Sequence, residues 1–295
     1  MLRITRVLAP NADMYTLDGT NTWVVGQDPS IVIDPGPAIA LHLEEVAETA
    51  GRVAFVLVTH DHPDHAPGAS ALARMLQAPL HAWRLQGAEA IRDHQEFHGG
   101  GCALTAVHTP GHTSDHVVFH EVHESALFTG DMVVGRGTSF IDPPDGDLTQ
   151  YLRSLNVMQA LKPRTIYPGH GPVVLRAKDK LQEYIDHRAE RERQVMEALA
   201  GGGRSIEEIV GKIYAGYPAE VLPLAGRSML AHLLKLESEG AVARSGKGEG
   251  AAWSVALPRA CARCGKPVKG RARYCSTCSL IILQEGGADA SAADA

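Results

Sequence analysis

The sequence predicts a layered α/β protein, and three observations carry that prediction. Short β-branched runs alternate with stretches of helical spacing. Several of the runs are continuously apolar, as strands covered on both faces are. A histidine or aspartate stands just past the end of one such run after another. Alternating strands and helices with buried strands mean stacked layers around a common core.

In chain order, Thr22–Val25 and Ser30–Asp34 are two strands separated by Gly-Gln-Asp-Pro, a hairpin pattern. Helical spacing follows at Leu41–Ala47, and Val53–Val58 is a buried strand that ends at Thr59. A helix at Ala69–Leu76 leads to a short strand at Leu80–Trp83. Strands near Ala103–His108, His116–Val122 and Ser125–Thr129 come next. Asp147, with Gln150 three places on, caps a helix that must end before Lys162-Pro163. The strand Thr165–Tyr167 then runs into Gly169-His170, and a charged helix covers 178–199.

Gly201-Gly202-Gly203 reads as a linker, which closes a first domain at 1–200. Ser205 and Glu208 have capping-box spacing, so a helix starts there and runs to about Tyr214. A second helix covers Arg227–Glu239 with a broad apolar face, and Gly240 stops it. Val242–Ala243 and Trp253–Val255 flank a turn. Helices followed by such a hairpin make a winged helix over 204–257. A four-cysteine module over 258–280 and a disordered tail over 281–295 complete the chain.

Composition narrows the class. The 295 residues are 44% hydrophobic with a formal net charge of -6, and mean hydropathy is -0.10. No stretch approaches the ~18 apolar residues a membrane span needs, and the N-terminus lacks a signal-peptide apolar core. A cytoplasmic protein without a membrane partner is the expectation. Residues 259–278 hold Arg259, Arg263, Lys266, Lys269, Arg271 and Arg273 and no acid. Removing the tail from the totals leaves residues 1–258 with 22 basic and 31 acidic side chains, a balance of -9. A basic tail on an acidic body points to a polyanionic partner for the tail. Of the five cysteines, Cys102 stands alone and is expected to be a buried reduced thiol. Cys261, Cys264, Cys275 and Cys278 form two Cys-x-x-Cys pairs with the spacing of a structural zinc site.

The densest signal is His60-Asp-His62-Pro-Asp64-His65. Alternate residues at the end of a strand project the same way, so His60 and His62 can converge on one ion. Asp64 and His65 can face a second as the chain turns into the next helix. Completing two coordination shells takes further ligands, and His112, Asp131 and His170, each in a Gly-His or Gly-Asp pair beyond a strand, supply them. Among the other histidines, His116 lies four residues past His112 and could line the pocket as a catalytic group. The rest of the fifteen are read as surface or core residues.

Two metals about 3.5–4 Å apart can share a water, lower its pKa toward ~7 and polarise a phosphoryl or carbonyl oxygen. The expected reaction is therefore hydrolysis by a metal-bridging hydroxide, with Asp64 and Asp131 in the catalytic set. Imidazole-rich ligands favour two zinc ions, with manganese or iron as alternatives.

The motif order of His-x-His-x-Asp-His, then His, Asp and His, resembles the metallo-β-lactamase superfamily. The resemblance implies an αββα sandwich with a dinuclear site at one edge. His60, His62 and His112 would bind one ion, Asp64, His65 and His170 the other, and Asp131 would bridge them. Asp34 matches a position that supports the metal loop without binding metal. Gly19-Thr-Asn-Thr22, Thr109-Pro-Gly-His-Thr113, Gly135-x-Gly-Thr138, Tyr184-Ile-x-His-Arg188 and Leu233-Leu-Lys-Leu-Glu-x-Glu-Gly240 narrow the resemblance further. They look like the lactamase-like protein 2 endoribonuclease group over about residues 10–256. That implies single-stranded RNA as substrate. The cysteine module is a departure from the group's pattern. Only 38 residues separate Asp131 from His170, too few for the β-CASP insertion of the larger nucleic-acid-processing relatives.

The alternative reading is a small-molecule hydrolase of a thioester or lactone, of glyoxalase II-like or acyl-CoA thioesterase-like type, which the acidic body favours. Partners are thus RNA or a small ester or thioester. Oligomeric state is left open between monomer and homodimer.

Overall fold

β1 (Ile4–Leu8), β2 (Asn21–Val25), β3 (Ser30–Ile33), β4 (Val53–Leu57), β5 (Leu80–Ala82) and β6 (Glu89–Ala90) lie in that order in one sheet. The first three are antiparallel neighbours and the last four run parallel. A second sheet has the order β11 (Thr165–Pro168), β10 (Ala126–Gly130), β9 (Val117–Glu121), β8 (Cys102–His108) and β7 (Glu96–Gly99). This computed structural model describes residues 2–246, 248–256, 259–268 and 274–284. They fall into two compact units, one ending at Arg188 and one beginning at Ala189.

In the first unit the inner faces of the two sheets enclose a core of Ile31, Ile33, Leu57, Leu104, Val117 and Phe119. Edge-on ring pairs cross between the sheets, Trp23 to Tyr167 at 5.1 Å and Phe55 to Phe97 at 5.3 Å. Such pairs add about 0.5–1.5 kcal/mol each beyond the area they bury. α1 (Ala40–Ala50) and α2 (Ala69–Leu76) cover the first sheet, burying Leu43, Val46 and Leu72 against Val24 and Val32. α3 (Leu148–Ala160) buries Tyr151, Leu155 and Met158, and its N-cap Asp147 accepts from the Gln150 amide as the spacing predicts. The layering is the expected αββα sandwich. β1, β6 and β7 are additions to the expected strands, and each is short. Cys102 is half-buried rather than buried, because it opens β8 at the hairpin, where its thiol donates to the Gly99 carbonyl.

α4 (Ala177–Leu199) crosses the boundary between the units. Its last turns bury Val195, Ala198 and Leu199 with Ile209, Met229, Leu233 and Trp253 in the core of the second unit. The division therefore falls before the glycine linker at 201–203, because packing and not the local break decides it. α5 (Ile206–Ile213) has the complete Ser205–Glu208 capping box. α6 (Leu222–Ser238) starts five residues earlier than expected, since Pro223 sits in its first turn, where a missing N–H costs nothing. β12 (Val242–Ser245) and β13 (Ala252–Val255) pair as the wing.

In the tail, β14 (Arg259–Ala260) pairs with β15 (Pro267–Val268), and α7 (Ser276–Gln284) follows. Residues 281–284 thus belong to a helix, where a disordered tail was expected to begin; Leu280 and Ile281 extend an apolar run that sustains it. Residues 285–295 and the basic Lys269, Arg271 and Arg273 lie outside the described residues. Arg263 and Lys266 are exposed. No helix among the described residues is long and apolar enough to cross a membrane.

Candidate metal centre

The turn after β4 begins at Thr59 and is fixed by one carboxylate. Asp34, at the end of β3 with a left-handed φ of 53°, accepts from the Thr59 amide at 2.7 Å and the Thr59 hydroxyl at 2.8 Å. Its Oδ2 also lies 2.9 Å from His65 Nδ1. The backbone of His62 then accepts from the amides of His65 and Ala66, which starts the turn toward α2. His60, His62, Asp64 and His65 consequently face the same edge of the sandwich.

Three further loops converge there. His112 follows β8, where the Pro110 carbonyl accepts from the Ser154 hydroxyl of α3. The chain must be glycine at 111, because φ is +139° and a Cβ would lie 2.3 Å from the Tyr151 backbone. Asp131 follows β10, and the loop after it is held from α3 and α4. Tyr151 donates to the Met132 carbonyl at 2.6 Å, and Tyr184 bonds both the amide and the carbonyl of Val134. Buried Arg188 donates to the Ser139 carbonyl. His170 follows β11 and is tied to β2 through Asn21, whose amide side chain donates to the carbonyls of Pro168 and Gly171 at 2.9 Å.

The ligand atoms form two groups, His60 with His62, His112 and Asp131, and Asp64 with His65, Asp131 and His170. Within each, the atoms lie within 4.8 Å of one another. Asp131 belongs to both: its Oδ1 is 3.2 Å from His170 Nε2 and 3.4 Å from His65 Nε2, while Oδ2 is 3.7 Å from His112 Nε2. His62 Nδ1 faces His60 Nε2 at 3.0 Å and His112 Nε2 at 3.1 Å. Three imidazole nitrogens cannot satisfy one another at that range, whereas tetrahedral bonds of about 2.0–2.1 Å to a shared cation put them about 3.3 Å apart. Buried Asp131 Oδ1 has no hydrogen-bond donor. Facing nitrogens and an undonated carboxylate oxygen fit two metal ions.

Four of the imidazoles are aimed by an oxygen on their far nitrogen. The partners are Thr59 Oγ1 for His60 at 2.9 Å, Asp34 for His65, the Phe140 carbonyl for His112 at 2.7 Å and the Gly19 carbonyl for His170 at 3.2 Å. Each leaves Nε2 free to ligate and fixes the ring. The two halves differ electrically. Burial pushes His60 well below the usual imidazole range and His112 down to about 4. In the other half burial opposes charging, but Asp131 and its neighbouring carboxylates hold His65 well above the usual range and His170 at about 9. Asp131 is itself held well below the carboxylate range, burial being outweighed by His170 and His65. Binding of cations here displaces protons.

His116 was expected to line the pocket and does not. It is fully buried, stacks on His60 at 4.9 Å, and its Nε2 accepts from the Asp131 amide at 3.3 Å. It is a positioning residue, because its ring nitrogens meet the Asp131 backbone amide and the Thr109 hydroxyl. Thr59 was missed from sequence because its role needs Asp34, 25 residues away. Asp61 points outward and is exposed.

The tail sulfurs form a third group. The Sγ atoms of Cys261, Cys264, Cys275 and Cys278 lie within 4.8 Å of one another.

Comparison with known proteins accords with this geometry. Residues 15–170 match the model of the metallo-beta-lactamase superfamily, and residues 205–253 match the beta-lactamase associated winged helix domain. The chain is 31% identical over 263 residues to a Drosophila melanogaster beta-lactamase-like protein 2 homolog, covering 80% of this chain and 88% of that one. It is 36% identical over 248 residues to an Aspergillus fumigatus atrochrysone carboxyl ACP thioesterase, covering 74% and 76%. A metallo-beta-lactamase family protein from Thermus thermophilus shares the fold with a TM-score of 0.71 at 21% identity, over 86% of this chain and 98% of that one. The chain therefore belongs to the metallo-beta-lactamase superfamily of hydrolases, in the form that carries a C-terminal winged helix.

Proposed function

We propose that this protein hydrolyses an uncharged thioester or lactone with an apolar acyl part. The observation that carries this reading is the charge of the loops that present the ligands. Segments 10–20, 59–66, 109–116, 131–147 and 168–174 hold seven aspartates besides the ligands, namely Asp13, Asp18, Asp61, Asp115, Asp142, Asp145 and Asp147. Against them stands Arg136 alone, and it is already paired with Asp18 at 2.6 Å. A polyanion is gripped by lysine and arginine on its phosphates, and these loops offer almost none. They offer apolar surface instead: Met14 and Tyr15 are more than half exposed, and Tyr15 lies 6.4 Å from Phe140, whose carbonyl orients His112.

When bound, two divalent ions supply an acidified water and a Lewis acid for the carbonyl oxygen. His60, His62 and His112 would hold one, Asp64, His65 and His170 the other, with Asp131 common to both. Asp34, Thr59 and His116 keep this set in register, and Met14, Tyr15 and Phe140 would receive the acyl chain. The thioesterase names of the Aspergillus relatives support the same substrate class. Exposed Arg263 and Lys266 on the tail favour the second reading, single-stranded RNA.

One panel tests both. Zinc- and manganese-loaded protein is given neutral N-acetylcysteamine thioesters, a lactone, an acyl-CoA and single-stranded RNA. Turnover of the neutral thioester or the lactone, faster for longer acyl chains, is expected. RNA cleavage without ester turnover would reject the proposal in favour of the nuclease.

A further inference from the structure

Among the described side chains of residues 259–284, few apolar ones are buried. The buried residues described there are Cys261, Val268 and Cys278, with Tyr274 and Cys275 partly buried beside them. Small scaffolds of this size rely on a disulfide or a metal. No disulfide is formed, all four cysteines being free thiols. The Cys264 and Cys275 sulfurs are 3.6 Å apart. That is far beyond the ~2.05 Å of a sulfur–sulfur bond. It is close to the ~3.8 Å edge of a tetrahedron with ~2.3 Å zinc–sulfur bonds.

The backbone is shaped to deliver those sulfurs. The first pair sits in the loop of the β14–β15 hairpin, where the Cys261 amide donates to the Lys266 carbonyl at 2.7 Å. The Gly265 amide donates to the Cys261 carbonyl at 2.9 Å, with Gly265 at a left-handed φ of 70°. This tight turn brings Cys264 back beside Cys261. The second pair opens α7: the Cys275 carbonyl accepts from the Ser279 amide at 2.9 Å, so Cys278 stands one helical turn above Cys275. A hairpin and a helix thus meet at four sulfurs.

We infer that Cys261, Cys264, Cys275 and Cys278 hold one zinc-class ion in a closed tetrahedral thiolate site, and that this ion is the core of residues 259–284. Four thiolates leave no open position for water or substrate, so the site is structural. It is also chemically separate from the dinuclear centre. Soft thiolates select zinc or its thiophilic analogues, whereas imidazole and carboxylate accept manganese or iron as well. The inference does not depend on which substrate the dinuclear centre takes.

The test uses the full chain. Protein produced with manganese in excess and trace zinc is assayed for both metals, then rebuilt with cobalt(II). Zinc retained at one ion per chain beside manganese is expected, and cobalt at this site should show an intense thiolate-to-metal charge-transfer band. Cys264→Ser/Cys275→Ser should lose that one ion and the band, and become cleavable by protease within 259–284. Cys102→Ser should lose neither. Hydrolysis by the dinuclear centre should persist in both variants. Should the double variant fail to fold, stepwise mercurial titration of the wild type gives the same information. Four thiols consumed per zinc released, with exposed Cys264 modified before buried Cys261 and Cys278, is the expected course. Freely reactive tail thiols in the wild type, no charge-transfer band, or a double variant with unchanged metal content would overturn the inference.

Discussion

Asp34 Oδ2 sits 2.9 Å from His65 Nδ1, and neither residue is more than 1% exposed. The same carboxylate accepts from Thr59, whose hydroxyl faces His60 Nδ1. One buried charge therefore orients an imidazole in each half of the centre. Asp34→Asn keeps the shape and tolerates the left-handed backbone, but presents an N–H where His65 needs an acceptor. We expect metal affinity or activity to fall about 10–100-fold, the usual cost of losing such an outer partner. Competitive chelation against a metal indicator measures it. Unchanged affinity would mean that His65 is aimed by its other neighbours.

Asp131→Ala removes the carboxylate common to both ligand groups and should strip most activity and more than one metal from the dinuclear centre. Asp61→Ala lies between two of the ligands yet is exposed, and should leave metal content intact. Metal analysis of the two variants side by side decides this. Equal losses would show that the ligand set is wrongly drawn.

Gly169→Ala tests how tightly the centre is packed. A Cβ there would lie 2.7 Å from both Asp131 Oδ1 and His65 Cε1. Overpacking of this kind costs about 1–3 kcal/mol, and the displaced carboxylate should weaken metal binding as well. Gly211→Ala, inside α5 with nothing within 4 Å, should instead stabilise the second unit by about 0.5–1 kcal/mol. Thermal unfolding with and without chelator separates the two effects.

Burial, and then the nearby Glu121, push the Cys102 thiol up to about 11. Because the shift is upward, the thiolate is scarce at neutral pH and grows about tenfold per unit of pH until that value is reached. Alkylation of Cys102 in the native protein should be slow at pH 7.5 and accelerate steadily to pH 10. After unfolding it should react as an ordinary thiol. Peptide mass spectrometry at each pH reads the rate; rapid native alkylation at neutral pH would contradict the shift.

Sequence revealed most where ligand and strand are adjacent in the chain. His60 to His65 crowd the end of β4, and Asp147 caps α3 within its own four residues. It revealed least where distant segments decide. The spacing of His112 and His116 says nothing about which ring faces the ions, because the turn between them reverses the chain. His116 is sent behind His60 only once β9 is in place. Asn21 looks like part of a strand, and its grip on the His170 loop spans nearly 150 residues. The start of α6 was hidden by Pro223, which reads as a breaker unless its position in the first turn is known.

The glycines at 201–203 look like a natural place to cut the chain, and α4 makes them a poor one. A gene ending there would express Val195, Ala198 and Leu199 without the residues that shelter them. The product would carry a greasy helical end prone to self-association. A graft of the winged helix beginning at Arg204 would lack the same three side chains from its own core. Recombination that moves this module intact has to break the gene upstream, near Arg188, within the codons of one continuous helix.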